Sequence, residues 1–335
     1  MRRRPVGIVP AARGELALID TIRRRVASSS ARALSLGIGD DCALLRFRSG
    51  EEAAVTTDLS IEGRHFLRNL HPPEAIGHRA LARGLSDLAA MGARPVAAFL
   101  SLGLPPELTH TPGRRNRAWI DRFLDGFLPL ADQHKIPLAG GDLAQAPIAL
   151  ADIVLIGAVP RGAALLRSGA LPGDVIYVTG SLGGSASGLR RLQSAPRTLS
   201  DRELASHLWP QPRVAQGLWL ARHSAASAAI DISDGLSTDL NHLCEESHVS
   251  AEIASSRLPI FLGASLEEAL NGGEDYELLF TAPPSSRIPR RISGVPVRAI
   301  GIVVKKFKSG SHAVLVDLSG GKKPLQPRGW EHFQP

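Results

Sequence analysis

Leu18, Ile19, Ile22 and Val26 fall at helical spacing, which predicts a helix over 14–26. The same spacing predicts helices over 75–91, around 119–131 and over 234–246, the last with Leu236, Leu240 and Leu243 along one side. Short apolar runs bounded by turn residues predict strands at 53–57, stopping at Asp58, and at 96–102 and 148–159. Later strands are predicted at 175–179, 277–281, 297–304 and 312–318, the first leading through Gly180-Ser181-Leu182-Gly183-Gly184-Ser185 into a helix. Segments 105–117, 194–202 and 283–291 read as loops. Pro160-Arg161-Gly162 punctuates the chain and divides it into candidate domains 1–160 and 161–335. Strands and helices alternate in both halves, so the expected fold class is α/β, built as two α+β lobes around a cleft.

A chain of 335 residues is long for one core and suits two domains. With aromatics at 4%, that core must rest on Ala, Leu, Ile and Val. The net charge of +7 favours anions, phosphate esters among them. The basic residues are scattered and the runs Arg2–Arg4 and Arg23–Arg25 are short, so no nucleic-acid partner is expected. Cys42 and Cys244 form no CxxC pair, which argues against a disulfide framework or thiolate zinc site and suits a reducing cytosol. No apolar segment suggests a secretory signal or a membrane span.

The aspartates have a particular placement. Asp40-Asp41 follow Gly37-Ile38-Gly39, Asp58 follows Val55-Thr56-Thr57, and Asp142 ends Gly140-Gly141-Asp142. Asp231 and Asp234 bracket Ile232-Ser233, and Asp275 ends Gly272-Gly273-Glu274-Asp275. Singly, each is explained as a turn former. Together they are the donors that several Mg²⁺ ions would need, because Mg²⁺ takes one or two carboxylates with waters and substrate phosphates. Phosphoryl transfer in turn depends on positioning and charge neutralisation. Asp87 lies inside a predicted helix, at the flank of the face built by Leu81, Leu85 and Leu88. A carboxylate there is costly unless paired, and a bound cation would remove the cost; a surface rim position is the alternative.

Other candidates each have a plain reading beside a functional one. The Gly180–Gly188 turn could cradle a phosphate or simply turn. Arg167 could clamp a phosphate or sit on the surface. Ser233 and Asp234 stand where a helix N-cap belongs. His65 is a substrate contact or a loop histidine, and Trp330 packs or stacks. P-loop, protein-kinase, G-x-S-x-G and H-E-x-x-H motifs are absent, and Gly37-Ile38-Gly39 lacks the third glycine of a dinucleotide fingerprint.

The ordered motifs resemble the thiamine-monophosphate kinase family from about Gly14 to the C-terminus. They are Gly14-Glu15 with Leu18-Ile19, Gly37-Ile38-Gly39-Asp40-Asp41-Cys42-Ala43, Thr56-Thr57-Asp58, His65-Phe66 and Leu85-Ser86-Asp87-Leu88-Ala89-Ala90-Met91-Gly92-Ala93. Gly140-Gly141-Asp142, Arg167-Ser168-Gly169, Gly173-Asp174, Ile230-Asp231-Ile232-Ser233-Asp234-Gly235-Leu236 and Gly272-Gly273-Glu274-Asp275-Tyr276-Glu277-Leu278 follow. The resemblance implies a two-domain aminoimidazole-ribonucleotide-synthetase-like fold whose N-terminal lobe binds ATP and dimerises. It implies a cytoplasmic homodimer that passes the ATP γ-phosphoryl directly to thiamine monophosphate, giving thiamine diphosphate and ADP.

By matching position, the resemblance makes Asp41, Thr56, Thr57, Asp58, Asp87, Asp142, Asp231 and Asp234 ligands of several Mg²⁺ ions. Asp58, Asp87 and Asp142 become the catalytic set. Gly141, Asp142, Arg167 and Ser233 would contact ATP, and His65, Glu274 and Trp330 the thiamine phosphate. A K⁺ requirement is left open. Gly84 and Arg64 stand where the family commonly has Asn, and Thr56 where it has Ser. Selenophosphate synthetase and the hydrogenase-maturation dehydratase are disfavoured, because no Cys–Lys pair precedes the aspartates and no cysteine ends the chain. A nucleotide- or nucleic-acid-binding module would have no need to bring so many carboxylates together.

Overall fold

The computed structural model describes residues 15–26, 33–110, 117–194, 201–308, 310–317 and 319–330. Arg2–Arg4, Gly14, Leu318, residues 111–116 of the first predicted loop and 195–200 of the second lie outside the described residues.

The first half runs α1 (Glu15–Val26), β1 (Leu34–Leu36), β2 (Leu44–Leu45), β3 (Glu51–Ile61), α2 (Pro73–Ala90), β4 (Arg94–Leu104), α3 (Trp119–Gln133), β5 (Leu138–Gly140), β6 (Leu143–Gln145) and β7 (Leu150–Pro160). The second runs β8 (Val175–Thr179), α4 (Gly184–Ser194), α5 (Asp201–Leu208), α6 (Val214–Arg222), β9 (Ala228–Ile232), α7 (Leu236–Glu246), β10 (Ser250–Ala254) and α8 (Leu266–Asn271). It ends with β11 (Glu277–Ala282), β12 (Arg291–Ile292), β13 (Val295–Val304), β14 (Ala313–Val316) and β15 (Lys322–Pro324).

A five-stranded sheet takes the order β3-β7-β4-β5, with β6 also on β4. An eight-stranded sheet takes the order β15-β14-β10-β13-β8-β11-β9, with β12 on β13. Parallel pairs β4–β5, β4–β6 and β10–β14 interrupt otherwise antiparallel ladders, the mixed sheets of two α+β lobes. One core packs α2 and α3 on the first sheet and continues into Val214, Leu220 and Phe280 of the second half. The other lies under the second sheet and α7, where Leu236, Leu240 and Leu243 are fully buried.

Strand β3 corrects the expected stop at Asp58. It pairs with β7 from Glu51↔Pro160 to Ile61↔Leu150, so Asp58 is a mid-strand residue opposite Ile153. The ladder outweighs the weak strand preference of Asp. Helix α5 begins at Asp201 and so corrects the C-terminal end of the predicted 194–202 loop.

The periodicity predicts one apolar face for α2, but fifteen of its residues are buried, Ser86 and Arg79 among them. Glycines make this possible. A Cβ on Gly77 would stand 2.0 Å from the Phe123 carbonyl oxygen, and one on Gly126 would stand 1.7 Å from that of Glu74, so α2 and α3 cross backbone to backbone. Gly77→Ala is expected to destabilise the protein by about 2 kcal/mol through overpacking. The check is a shift of the denaturant midpoint at constant m-value; an unmoved midpoint would mean the helices separate without penalty. A Cβ on Gly84 would meet Ile153 and Leu155 at 2.9 Å, which accounts for glycine at this position.

Candidate active site

Helix α2 carries Arg79, Arg83 and Asp87 four residues apart, hence on one face. That face borders a cleft of about 550 Å³ between the halves of the molecule. Asp58 reaches it from β3, and Asp231, Ser233 and Asp234 from the end of β9. His65, Glu274, Tyr276 and Trp330 complete the wall.

At one end the carboxylates crowd together. Thr56 donates its hydroxyl to Asp87, and Ser86 Oγ donates to Asp231 Oδ2 at 2.7 Å. Arg83 Nη2 lies 3.4 Å from Asp58 Oδ1. Burial pushes the Asp58 carboxyl up to about 6, opposed by Arg83 and helped by Asp87 and Asp152. Burial also raises Asp87 against the Thr56 hydrogen bond and the charges of Arg167 and Arg83. Asp231 is raised by burial and then by Asp87. These carboxyls stay raised despite Arg83 and Arg167, so their charge is only partly compensated, and an all-oxygen donor set suits a hard divalent cation. Among the described residues no three His, Cys, Asp or Glu groups already form a metal cage.

The expected single cluster is divided. Asp41, Gly141 and Asp142 line a second cavity, of about 800 Å³, together with Ile19, Phe99, Val154 and Ile156. Asp41 and Asp142 are exposed there, and Asp142 Oδ1 accepts the Leu143 N–H at 2.9 Å. Thr57 is exposed on the face of β3 opposite Thr56 and Asp58, because side chains alternate along a strand. Arg167 is exposed, yet its charge acts on both Asp87 and Asp231.

One local expectation is corrected and one open reading is decided. The cap of α7 is Gly235, at φ 117°, and not Ser233 or Asp234. Buried Asp239 reaches back from the first turn to accept the N–H groups of Asp234 and Gly235 at 3.1 and 3.0 Å. The Gly180–Gly188 turn is no open phosphate cradle, since Asp275 accepts the N–H groups of Gly183 and Ser185 at 2.6 and 3.0 Å.

Elsewhere in the cleft, Arg79 Nη2 donates to both oxygens of Glu274 at 2.6 Å. Burial pushes the Glu274 carboxyl up, but Arg79 and Arg83 outweigh it and hold it below the usual range. Glu274 and Tyr276 sit at φ 64° and 51°, a left-handed conformation that costs non-glycine residues energy and gathers at functional sites. Arg79 Nη1 lies 3.1 Å from His207 Nε2, and His207 contacts His71 and Ser185 Oγ, each at 3.0 Å. His65 Nδ1 accepts the Ile61 N–H at 3.0 Å, and the half-exposed Trp330 donates its main-chain N–H to the Asp234 oxygen at 3.1 Å. Sequence reasoning passed over Arg79, Arg83, His71, His207 and Tyr276; the spacing Arg-x₃-Arg-x₃-Asp was the available signal for two of them.

The profile for AIR synthase related protein, N-terminal domain, matches residues 39–159, and that for the C-terminal domain matches residues 172–313. Thiamine-monophosphate kinase of Escherichia coli (strain K12) is 39% identical, over 96% of this chain and 98% of its own. The chain belongs to the thiamine-monophosphate kinase family. The family member from Bacillus subtilis (strain 168) is 34% identical, with 96% of this chain and 99% of its own covered. The crystal structure of thiamine-monophosphate kinase from Stenotrophomonas maltophilia K279a superimposes with a TM-score of 0.76 at 38% identity, covering 91% of this chain and 97% of that one. The structure of AaThiL complexed with AMPPCP and TMP gives 0.73 at 32% identity, covering 96% and 97%.

Proposed function

We propose that the protein transfers the γ-phosphoryl group of ATP to thiamine monophosphate, giving thiamine diphosphate and ADP. The family supports the reaction, and one observation carries it at the site: Asp58, Asp87 and Asp231 converge in the cleft that Arg79, Glu274 and Trp330 also line. Asp58, Asp87, Asp231 and Asp234 would hold Mg²⁺, which supplies charge neutralisation for the facing phosphates when bound. Thr56 and Ser86 orient two of these carboxylates through their hydroxyls. Ser233, which lines the cleft, and Arg167, whose charge acts on Asp87 and Asp231, are the proposed ATP contacts. Trp330, His65 and Glu274 line the cleft and are the proposed contacts of thiamine monophosphate.

The proposed division is 1–160 for the nucleotide and dimerisation lobe and 161–335 for the lobe that completes the cleft. Strand β3 supports a homodimer, since it is a long edge strand with Val55 and Leu59 exposed at 61% and 44%. A cytoplasmic enzyme is proposed; among the described residues no helix is long and apolar enough to cross a membrane.

The test is transfer from ATP to thiamine monophosphate with and without Mg²⁺. Thiamine diphosphate is expected only with the metal present. A folded, ATP-binding protein that makes no product would sink the substrate assignment.

A further inference from the structure

We propose that Arg83 is a phosphate-binding catalytic residue, whose guanidinium grips the acceptor phosphate where it meets the incoming phosphoryl group. The proposal rests on the reaction proposed above and adds a residue that the motifs do not mark. Among the described residues, Arg64, Arg79 and Arg83 are the arginines that line the cleft. Arg64 is exposed, and Arg79 is committed to Glu274 and His207. The Arg83 side chain is 18% exposed, and its ion pair with Asp58 is long at 3.4 Å. A guanidinium has several N–H donors, and burying it is expensive unless they are satisfied.

Asp58, 3.4 Å away, with Asp87, Glu274 and the Tyr276 phenol act on Arg83, so it stands in the cleft within reach of both the carboxylates of β3 and α2 and the Glu274–Tyr276 segment. A phosphomonoester that accepts a phosphoryl group must come close to a second polyanion at this junction. The planar fork of an arginine binds phosphate oxygens in pairs, which a lysine cannot copy. In the step, an acceptor-phosphate oxygen forms a bond to the γ-phosphorus. The bond from that phosphorus to the β–γ bridging oxygen breaks, and its electron pair leaves on ADP. Charge is conserved and no proton moves, so Arg83 stays protonated and acts through hydrogen bonds alone.

The experiment compares wild type, Arg83→Gln, Arg83→Lys and Arg83→Ala. Arg83→Gln is expected to lower kcat/KM for thiamine monophosphate by about 100-fold or more while ATP binding, titrated separately, changes by less than about threefold. Arg83→Lys recovers only part of the rate. Added guanidinium ion speeds Arg83→Ala, a rescue that a purely structural arginine would not show. Wild-type kcat/KM in Arg83→Gln or Arg83→Lys overturns the proposal, as does an equal loss in ATP binding. An inactive wild type overturns the reaction itself; an active wild type beside an unimpaired variant overturns only the role of Arg83.

Discussion

Asp87→Asn is expected to slow thiamine diphosphate formation by about 1000-fold or more and, in the same protein without metal, to raise the melting temperature. Both effects have one source. Asp87 sits on α2, a helix buried almost all round, and burial raises its proton affinity despite the Thr56 hydrogen bond. Asp231 stands close enough to be raised by it in turn. Asn keeps an oxygen for Thr56 to donate to, but removes the charge that burial and Asp231 oppose. The gain is about 1 kcal/mol, the usual scale of a stability–function exchange. Turnover at saturating substrates and calorimetry in chelator are the measurements. A variant with more than about a tenth of the wild-type rate would take Asp87 out of the chemistry. A lowered melting temperature would show that its charge is already compensated.

Acidification from pH 7 to pH 5 is expected to remove about 4 kcal/mol of stability through His71 and His207, about 2 kcal/mol from each. Burial and then the Arg79 charge lower His71 to about 4 and His207 to about 2, with His71 adding to the effect on His207. Glu274 opposes this for His71, and Arg79, His71, Ser185 and Glu274 surround His207. Both rings are almost wholly buried. The unfolded chain therefore binds protons that the folded chain refuses. The contribution is present above about pH 6.5 and is lost as pH falls toward the folded values. Asp58, Asp231 and Asp275 work the other way, because their carboxyls, raised to about 6, about 7 and about 7, add stability as pH falls. Variants separate the two: between pH 7 and pH 5 the combination of His71→Asn with His207→Asn should gain about 4 kcal/mol of stability relative to wild type, whatever the carboxyls contribute to both. Parallel stability curves for wild type and double variant would refute the assignment.

Much of the protein was legible along the chain. The spacing of Leu236, Leu240 and Leu243 placed α7, and Asp87 was singled out by its position at the flank of an apolar helix face. The ordered Gly-Asp motifs named the family. These features are local, because a helix face or a turn is set by residues a few positions apart. What followed from tertiary structure lies between distant segments. Arg79 and Glu274 are separated by 195 positions, and no periodicity relates them. Strand β3 runs past Asp58 because β7 pairs with its whole length. The Gly180 turn looks open in sequence, yet Asp275 fills it from another strand's approach. The equal-looking aspartates divide between two cavities, since strand alternation and the docking of the two halves, not residue type, set which carboxylates face the same cleft.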